Sequence, residues 1–185
     1  MSLFKPKLNV EAAMRMMLGA ALRRDPASSL AEVAQSSTLT PVDVAALVRE
    51  LPTFELAIWH LLFLQLAAKL GAEELTKRFT ISLALACRDT GKDPEQGPFE
   101  LEALMSSVLA YMEAAAERES ERYKDAGPGF LYCQEFTSRV LANVDLRHET
   151  ARNRHIHVFA IAEDGLRTVE AVLSALQREY KIAIQ

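Results

Sequence analysis

The feature that most constrains the fold is a stretch with no polar side, residues 54–70. As a helix it presents apolar side chains around almost its whole circumference, so other elements must cover it and it must lie at the centre of the fold. Its longest apolar run, residues 56–70, is interrupted by one His, one Gln and one Lys and is too short for a membrane span. We therefore expect a helix buried in protein, and no membrane partner.

The rest of the chain also favours helix, because only 7 Gly and 7 Pro occur in 185 residues and Ala, Leu and Glu are abundant. The predicted fold is all-α: a single compact bundle of about eight or nine helices. Residues 1–52 are expected to form an N-terminal three-helix region, and residues 53–185 a helical body. Pro52 is predicted to close the helix that begins after Thr40.

Residues 155–162 leave a second interpretation open, because their alternating pattern is also typical of a strand. With the following helix and the terminal YKIAI they would form a βαβ unit over residues 155–185. Two parallel strands alone make a poor sheet, so helix is the favoured prediction there.

The charge, the cysteines and the motifs of the chain limit the classes of function that it can have. The net charge of −4 gives no global field for nucleic acid. Cys87 and Cys133 lie far apart in apolar surroundings, which predicts reduced core thiols in a cytoplasmic protein. The sequence contains no P-loop, dinucleotide fingerprint or paired Glu-x-x-His motif, so we expect no cofactor, and an enzyme is not favoured.

The most specific local pattern is SLAEVAQSSTLTPVDVAALVREL, residues 29–51. Ser29 with Glu32 is typical of a capping box, and Thr40 followed by Pro41 is typical of an N-cap and first helical position. Two helices joined by a tight turn are therefore predicted. With the helix predicted before it, over residues 9–23, this segment resembles the helix-turn-helix module of TetR-type transcriptional regulators.

That resemblance implies a second helix that reads DNA, followed by a helical body that dimerises. The residues it assigns to DNA are Thr40, Val42, Asp43 and Arg49. The outward positions of that helix offer one Arg against two acids, whereas DNA readers need donors for base edges and cations for phosphates. DNA binding is therefore the alternative and not the leading interpretation.

Three of the four histidines and three arginines fall within RHETARNRHIH, residues 147–157. Arginine forks bind carboxylate or phosphate, so the pattern predicts an anion or acidic partner, bound more tightly below about pH 6.5 as histidines protonate. A metal is not expected, because neither helix nor strand brings three imidazoles together. A solvated basic helix face that pairs with the chain's own acidic helix, residues 113–125, is the favoured explanation of the pattern, and an anion or acidic-partner site is the functional alternative. The candidates are Arg147, His148, Arg152, Arg154, His155 and His157.

Two sets of residues in the apolar segments bear on whether the core contains a binding site. His60 lies within the central helix and is predicted to be a core histidine with a hydrogen-bonded ring. Methionines and aromatic residues could line a cavity for an apolar ligand, although such stripes more often form core; they are Met14, Met16, Met17, Trp59, Phe63 and Phe79.

Together these features predict a non-catalytic helical binding protein that associates with a protein partner or with itself. A homodimer is expected through an apolar stripe on the last helix, although burial of the same stripe in the protein's own core is the simpler explanation. The stripe comprises Leu166, Val169, Val172, Leu173 and Leu176.

Overall fold

Helices make up most of the chain that the computed structural model describes, namely residues 5–23, 38–70, 75–89, 101–117, 127–142 and 145–183. The predicted all-α class is confirmed. The described elements, in chain order, are β1 (Lys7–Asn9), α1 (Val10–Arg23), α2 (Pro41–Leu70), α3 (Leu75–Asp89), α4 (Leu101–Glu117), α5 (Pro128–Val140), α6 (Glu149–Glu179) and β2 (Lys181–Ala183).

The helix count differs from the prediction: these ranges hold six helices, and not eight or nine. One cause is Pro52, which lies inside α2 and does not end it. A proline in a helix interior costs about 3 kcal/mol. Burial of Leu51 and Phe54 on either side of it offsets this cost, since each large apolar side chain contributes about 1.5–3 kcal/mol when buried. α2 therefore also runs across residue 52, the predicted boundary between the two regions.

The second cause is α6, which joins residues 155–162 and the predicted last helix into one element. Ala151, Val158, Ala162 and Val169 are buried, and that spacing of three to four residues or its multiples is helical. The βαβ alternative is therefore wrong in its first strand. Its second strand exists as β2, but β2 pairs in parallel with β1, with Lys7 opposite Lys181.

α2 occupies the centre of the molecule, as its apolar circumference predicts, and packs against α1, α3, α4, α5 and α6. Phe54 marks the middle of the core. Its ring centroid lies 4.4 Å from that of Phe136 on α5 and 6.3 Å from that of Tyr111 on α4. On the α6 side, a Cβ added to Gly165 would lie 3.6 Å from the Phe54 ring, so α6 approaches closely there.

Several smaller predictions can be compared with the structure. Cys87 and Cys133 are buried free thiols, as expected. α5 ends at Val140. On α6, most of the stripe predicted for dimerisation packs into the protein's own core, because Val169, Leu173 and Leu176 are buried. The homodimer stays a prediction. Within the described ranges, no helix has the length and apolar character needed to cross a membrane.

The predicted start of α2 is confirmed. Thr40 precedes the first helical residue, Pro41. The Asp43 carboxylate accepts a hydrogen bond from the Thr40 backbone N–H at 2.8 Å, and the Thr40 hydroxyl accepts one from the Asp43 N–H at 3.3 Å. This reciprocal pair is a capping box with Asp in the third position. The helix expected before it, residues 29–36, lies outside the described residues.

His60 is a core histidine, as predicted, and its side chain is almost completely buried. Its ring meets Phe79 edge to face, with centroids 4.5 Å apart. Neither ring nitrogen finds a hydrogen-bond partner among the residues that the structure describes, contrary to the expected hydrogen-bonded ring. Burial without a charged partner disfavours the imidazolium and lowers the pKa of His60 from 6.5 to about 4.

We predict that Thr40→Ala lowers the free energy of unfolding by about 1 kcal/mol, because the substitution removes an N-cap acceptor. Thr40→Ser keeps the hydroxyl and should retain most of the stability. Urea denaturation of the three proteins measures both values. Equal losses in the Ala and Ser variants would contradict a capping role.

We also predict that His60 makes stability depend on pH between 6.5 and 4. In that window the unfolded chain binds a proton that the folded chain does not, so stability falls as pH falls, by about 3 kcal/mol in total. Denaturation midpoints across pH 4–7 measure the slope. His60→Leu keeps an apolar side chain in place without a titrating group and should flatten this part of the curve; an unchanged slope would assign it to other groups.

Candidate functional site

The structure brings the two sequence-predicted sites into direct contact through one ion pair. Arg154, from the Arg/His cluster, donates two hydrogen bonds to Asp43, from the predicted DNA-reading helix. Arg154 Nε lies 2.9 Å from Asp43 Oδ2, and Nη2 lies 2.5 Å from Oδ1. This bidentate geometry is the strong form of an arginine–carboxylate pair. It ties the first turn of α2 to the second turn of α6.

Burial makes this pair a structural element. The Asp43 side chain is 3% exposed and that of Arg154 is 24% exposed. Burial alone would raise the pKa of Asp43, but hydrogen bonds from Arg154 and Thr40, with the charge of Arg154, hold that pKa below its ordinary value. Asp43 therefore stays ionised, and its carboxylate is already occupied by Arg154 and the cap.

The other residues assigned to DNA lie differently along the first turns of α2. Thr40 caps the helix and is exposed to solvent. Val42 is 76% exposed. The Arg49 side chain is 70% exposed, and its Nε lies 3.0 Å from the Glu50 carboxylate. Asp43 thus points inward while Val42 and Arg49 face outward.

The Arg/His cluster is helical from Glu149 onward, and His148 is the N-cap residue of α6. Arg147 lies before the helix, where it pairs with Asp145 at 2.8 Å. Arg152 is exposed on the next turn. The expected partner of this cluster, the acidic helix at residues 113–125, lies partly outside the described residues. Arg154 and Arg147 form their ion pairs with Asp43 and Asp145 instead.

The three histidines of the cluster have separate surroundings. His148 is exposed at the helix start, and His157 is partly covered in the third turn. His155 is partly buried, and burial lowers its pKa below the ordinary value. Across the described ranges no group of three or more His, Cys, Asp or Glu side chains is placed to hold a metal ion.

Beside the ion pair lies a surface groove, which we call the α6 groove. It has a volume of about 560 Å³ and is lined by Thr38, Thr150, Asn153, Ile156, His157 and Ala160. Thr38 comes from the turn before α2, and the other residues come from the N-terminal part of α6. Ile156 is 65% exposed. Arg152 lies one helical turn before Ile156, on the same face.

Sequence reasoning found one residue of this groove, His157, and missed the others. The sequence contains one indication of this groove, namely Ile156, which is an apolar residue on a helix stripe that is otherwise polar and charged. The part played by Thr38 had no sequence signal, because only the folded chain brings the turn before α2 against α6.

A second and more apolar groove, the Trp59 groove, lies between α1, α2 and α6. It has a volume of about 230 Å³ and is lined by Met17, Ala20, Ala21, Glu55, Trp59, Thr168, Val169 and Val172. Two of the residues suggested for an apolar cavity, Met17 and Trp59, belong to it. Met14, Phe63 and Phe79 are fully buried core residues, and Met16 is exposed.

Comparison with known proteins found no protein-family model, no curated protein and no solved structure that matches the chain. The resemblance to TetR-type regulators therefore stays a prediction carried by residues 29–51.

We predict that Asp43 and Arg154 are energetically coupled. In a double-mutant cycle of Asp43→Asn and Arg154→Met, the coupling free energy should be about 2 kcal/mol, within the range for residues in one network. Either single variant leaves a charge or a polar group without its partner. Each substitution should therefore lower the free energy of unfolding more when made in the wild type than when made in a protein that already carries the other substitution. Urea denaturation at neutral pH measures all four proteins.

The pH dependence of the Asp43–Arg154 coupling free energy gives a second test of this contact. Because the folded pKa of Asp43 is depressed, its contribution is present above the ordinary carboxyl pKa of about 4 and is lost as pH falls through the lower, folded value. The coupling should therefore survive at pH 5, where His60 is already being titrated. Coupling near zero at pH 7 would contradict the assigned contact.

Proposed function

We propose that the chain is a non-catalytic binding protein whose α6 groove takes up an acidic segment of a protein partner. The single observation that carries this is Ile156, which is 65% exposed in a groove otherwise lined mainly by hydrogen-bonding side chains. Protein interfaces commonly combine a central apolar anchor with a polar rim.

The polar rim supports a peptide as the occupant. Thr150 contributes a hydroxyl group, Asn153 an amide and His157 an imidazole. These groups can donate to and accept from a peptide backbone, which offers one donor and one acceptor per residue.

The charge preference comes from Arg152, which is exposed one turn from Ile156. Arg154 is engaged with Asp43 and Arg147 with Asp145, so Arg152 is the arginine of the cluster that we assign to the partner. An exposed guanidinium at the rim of an interface raises the association rate and favours carboxylate-bearing partners.

A second candidate is DNA reading by the first turns of α2, and one observation favours it. Asp43 is buried and neutralised by Arg154, which removes one of the two acids that the sequence places on the outward face of this helix. Val42 and Arg49 remain exposed there. The arginine is shared with Glu50, and for this reason DNA stays second.

The test uses a labelled random copolymer of glutamate and tyrosine as the acidic, partly apolar probe, with polyglutamate and polylysine beside it. We predict that the copolymer binds more tightly than polyglutamate and that polylysine does not bind. Arg152→Ala and Ile156→Ser should each weaken copolymer binding about tenfold, equivalent to about 1.4 kcal/mol. Fluorescence anisotropy at two salt concentrations gives the affinities.

The matched control is Arg167→Ala, which removes an exposed arginine of α6 that pairs with Glu163 and should leave binding unchanged. Copolymer binding that is indifferent to both Arg152 and Ile156 would refute the proposal. A duplex DNA arm separates the second candidate: steeply salt-dependent DNA binding that is lost in Arg49→Ala and kept in Arg152→Ala would replace the first proposal with the second.

A further inference from the structure

The sheet formed by β1 and β2 turns two lysines toward solvent. Successive side chains of a strand point to opposite faces of the sheet. Leu8 and Ile182 pack against the core, so Lys7 and Lys181, which precede them in the two strands, point away from it. Both lysines are exposed. We call this outer side of the sheet, together with Lys5 just before β1, the lysine face.

The strand register brings two of these charges side by side. Lys7 is the in-register partner of Lys181, and neighbouring strands lie about 4.8 Å apart. The Lys181 backbone N–H donates a hydrogen bond to the Pro6 carbonyl at 2.9 Å, which holds this register. Like charges directly opposite each other destabilise a strand pair. An anion placed between the two ammonium groups would remove that repulsion.

Within the part of the chain that the structure describes, no acidic side chain neutralises the two opposed lysines. Neither Lys7 nor Lys181 forms an ion pair there. Residues 5–9 and 178–183 contain one acid, Glu179, and four cations, namely Lys5, Lys7, Arg178 and Lys181. This end of the molecule is therefore positive, although the whole chain carries a net charge of −4.

Lys5 adds a third ammonium group close to the pair. Its Nζ donates a hydrogen bond to the backbone carbonyl of Gln177 at 3.0 Å, in the last turn of α6. This contact places the Lys5 charge at the end of α6 from which β2 continues. The hydrogen bond uses one of the three donors of the ammonium group and leaves its charge in place.

We propose that the lysine face binds the free phosphate chain of a small molecule, with one phosphate group held between Lys7 and Lys181. The face lies about 30 Å from the α6 groove along α6, at 1.5 Å per residue. The proposal goes beyond the proposed function and does not depend on it.

The spacing of the charges favours phosphate over carboxylate. A terminal phosphate carries about −1.5 to −2 charges at neutral pH and offers three acceptor oxygens, so two neighbouring ammonium groups can each donate to a different oxygen. Lysine binds phosphate as a point charge, whereas the planar fork of arginine suits a carboxylate. A chain of phosphate groups also reaches Lys5, which a single phosphate held between the strands does not need.

A lipid bilayer is the less favoured source of phosphate. Proteins that lie on a bilayer combine positive charge with an apolar anchor that enters the lipid. The large apolar side chains that are exposed elsewhere in the described chain do not include any from residues 5–9 or 178–182. We therefore assign the lysine face to a free phosphate compound.

The test titrates tripolyphosphate into the protein at constant ionic strength, because exposed charges are screened by salt. Calorimetry measures the affinity, and amide hydrogen exchange follows the strand pair. We predict saturable binding and slower exchange of the Lys181 N–H, since the bound anion removes the repulsion between the strands. Inorganic phosphate and citrate, a tricarboxylate, should both bind more weakly than tripolyphosphate.

Three variants test the assignment of the lysines. Lys7→Gln and Lys181→Gln should each weaken tripolyphosphate binding about fivefold, as expected for the loss of one charge contact in water. Lys77→Gln, which alters an exposed lysine on α3, is the matched control and should keep the affinity.

Lys7→Glu separates binding from a purely structural effect. It places opposite charges in register, so the Lys181 N–H should exchange more slowly without any ligand, and tripolyphosphate should no longer change that rate. If one lysine variant does not fold, as judged by circular dichroism, the others decide the question.

Three results would overturn the proposal: a non-saturable titration, equal affinities in the wild type and the two Gln variants, or exchange of the Lys181 N–H that tripolyphosphate leaves unchanged. Vesicles of phosphatidylserine and phosphatidylcholine test the bilayer directly. Vesicle binding that requires Lys7, in a protein that does not bind tripolyphosphate, would replace the free phosphate compound with a membrane. Loss of copolymer binding at the α6 groove would leave these results unaffected.

Discussion

The burial of α2 is the constraint on which the rest of the structure depends. Residues 54–66 of α2 are apolar around most of the helix circumference and cannot stay at a surface, so other elements must cover them. α1, α3, α4, α5 and α6 do so, and their buried side chains join those of α2 in one core. This packing also explains why Pro52 fails to break the helix: the residues on both sides of it are held by neighbours, and their burial offsets the missing backbone hydrogen bond.

The sequence predicted the features that depend on local pattern. The helical class, the central position of α2, the start of that helix after Thr40, the helical state of residues 155–162 and the two buried thiols all follow from spacing, capping chemistry and apolar surroundings. Helix ends were harder to predict. Pro52 and Gly165 are residues typical of helix ends, but tertiary packing carries both helices through them.

Contacts between distant segments were not predictable. Nothing in the chain indicates that Asp43 meets Arg154, 111 positions away, or that Thr38 lines a groove with Ile156. The terminal strand entered the sequence analysis only through the less favoured βαβ alternative, and that alternative gave it the wrong partner because strand pairing depends on how the intervening helices bring the two segments together. The Asp43–Arg154 pair also shows that the charge of a candidate surface cannot be obtained by counting charged residues in the sequence. The pair removes an acid from one candidate surface and an arginine from the other.

The pairing of β1 with β2 has a consequence for the order in which the molecule folds. It joins segments from opposite ends of the described chain through three residue pairs, with Leu8 and Ile182 resting against the core. Closing so long a loop costs on the order of 5 kcal/mol in chain entropy, more than three residues of ladder can return. The strands can therefore meet only after the helices have brought them together, which makes them the last element to form and the first to open during local unfolding.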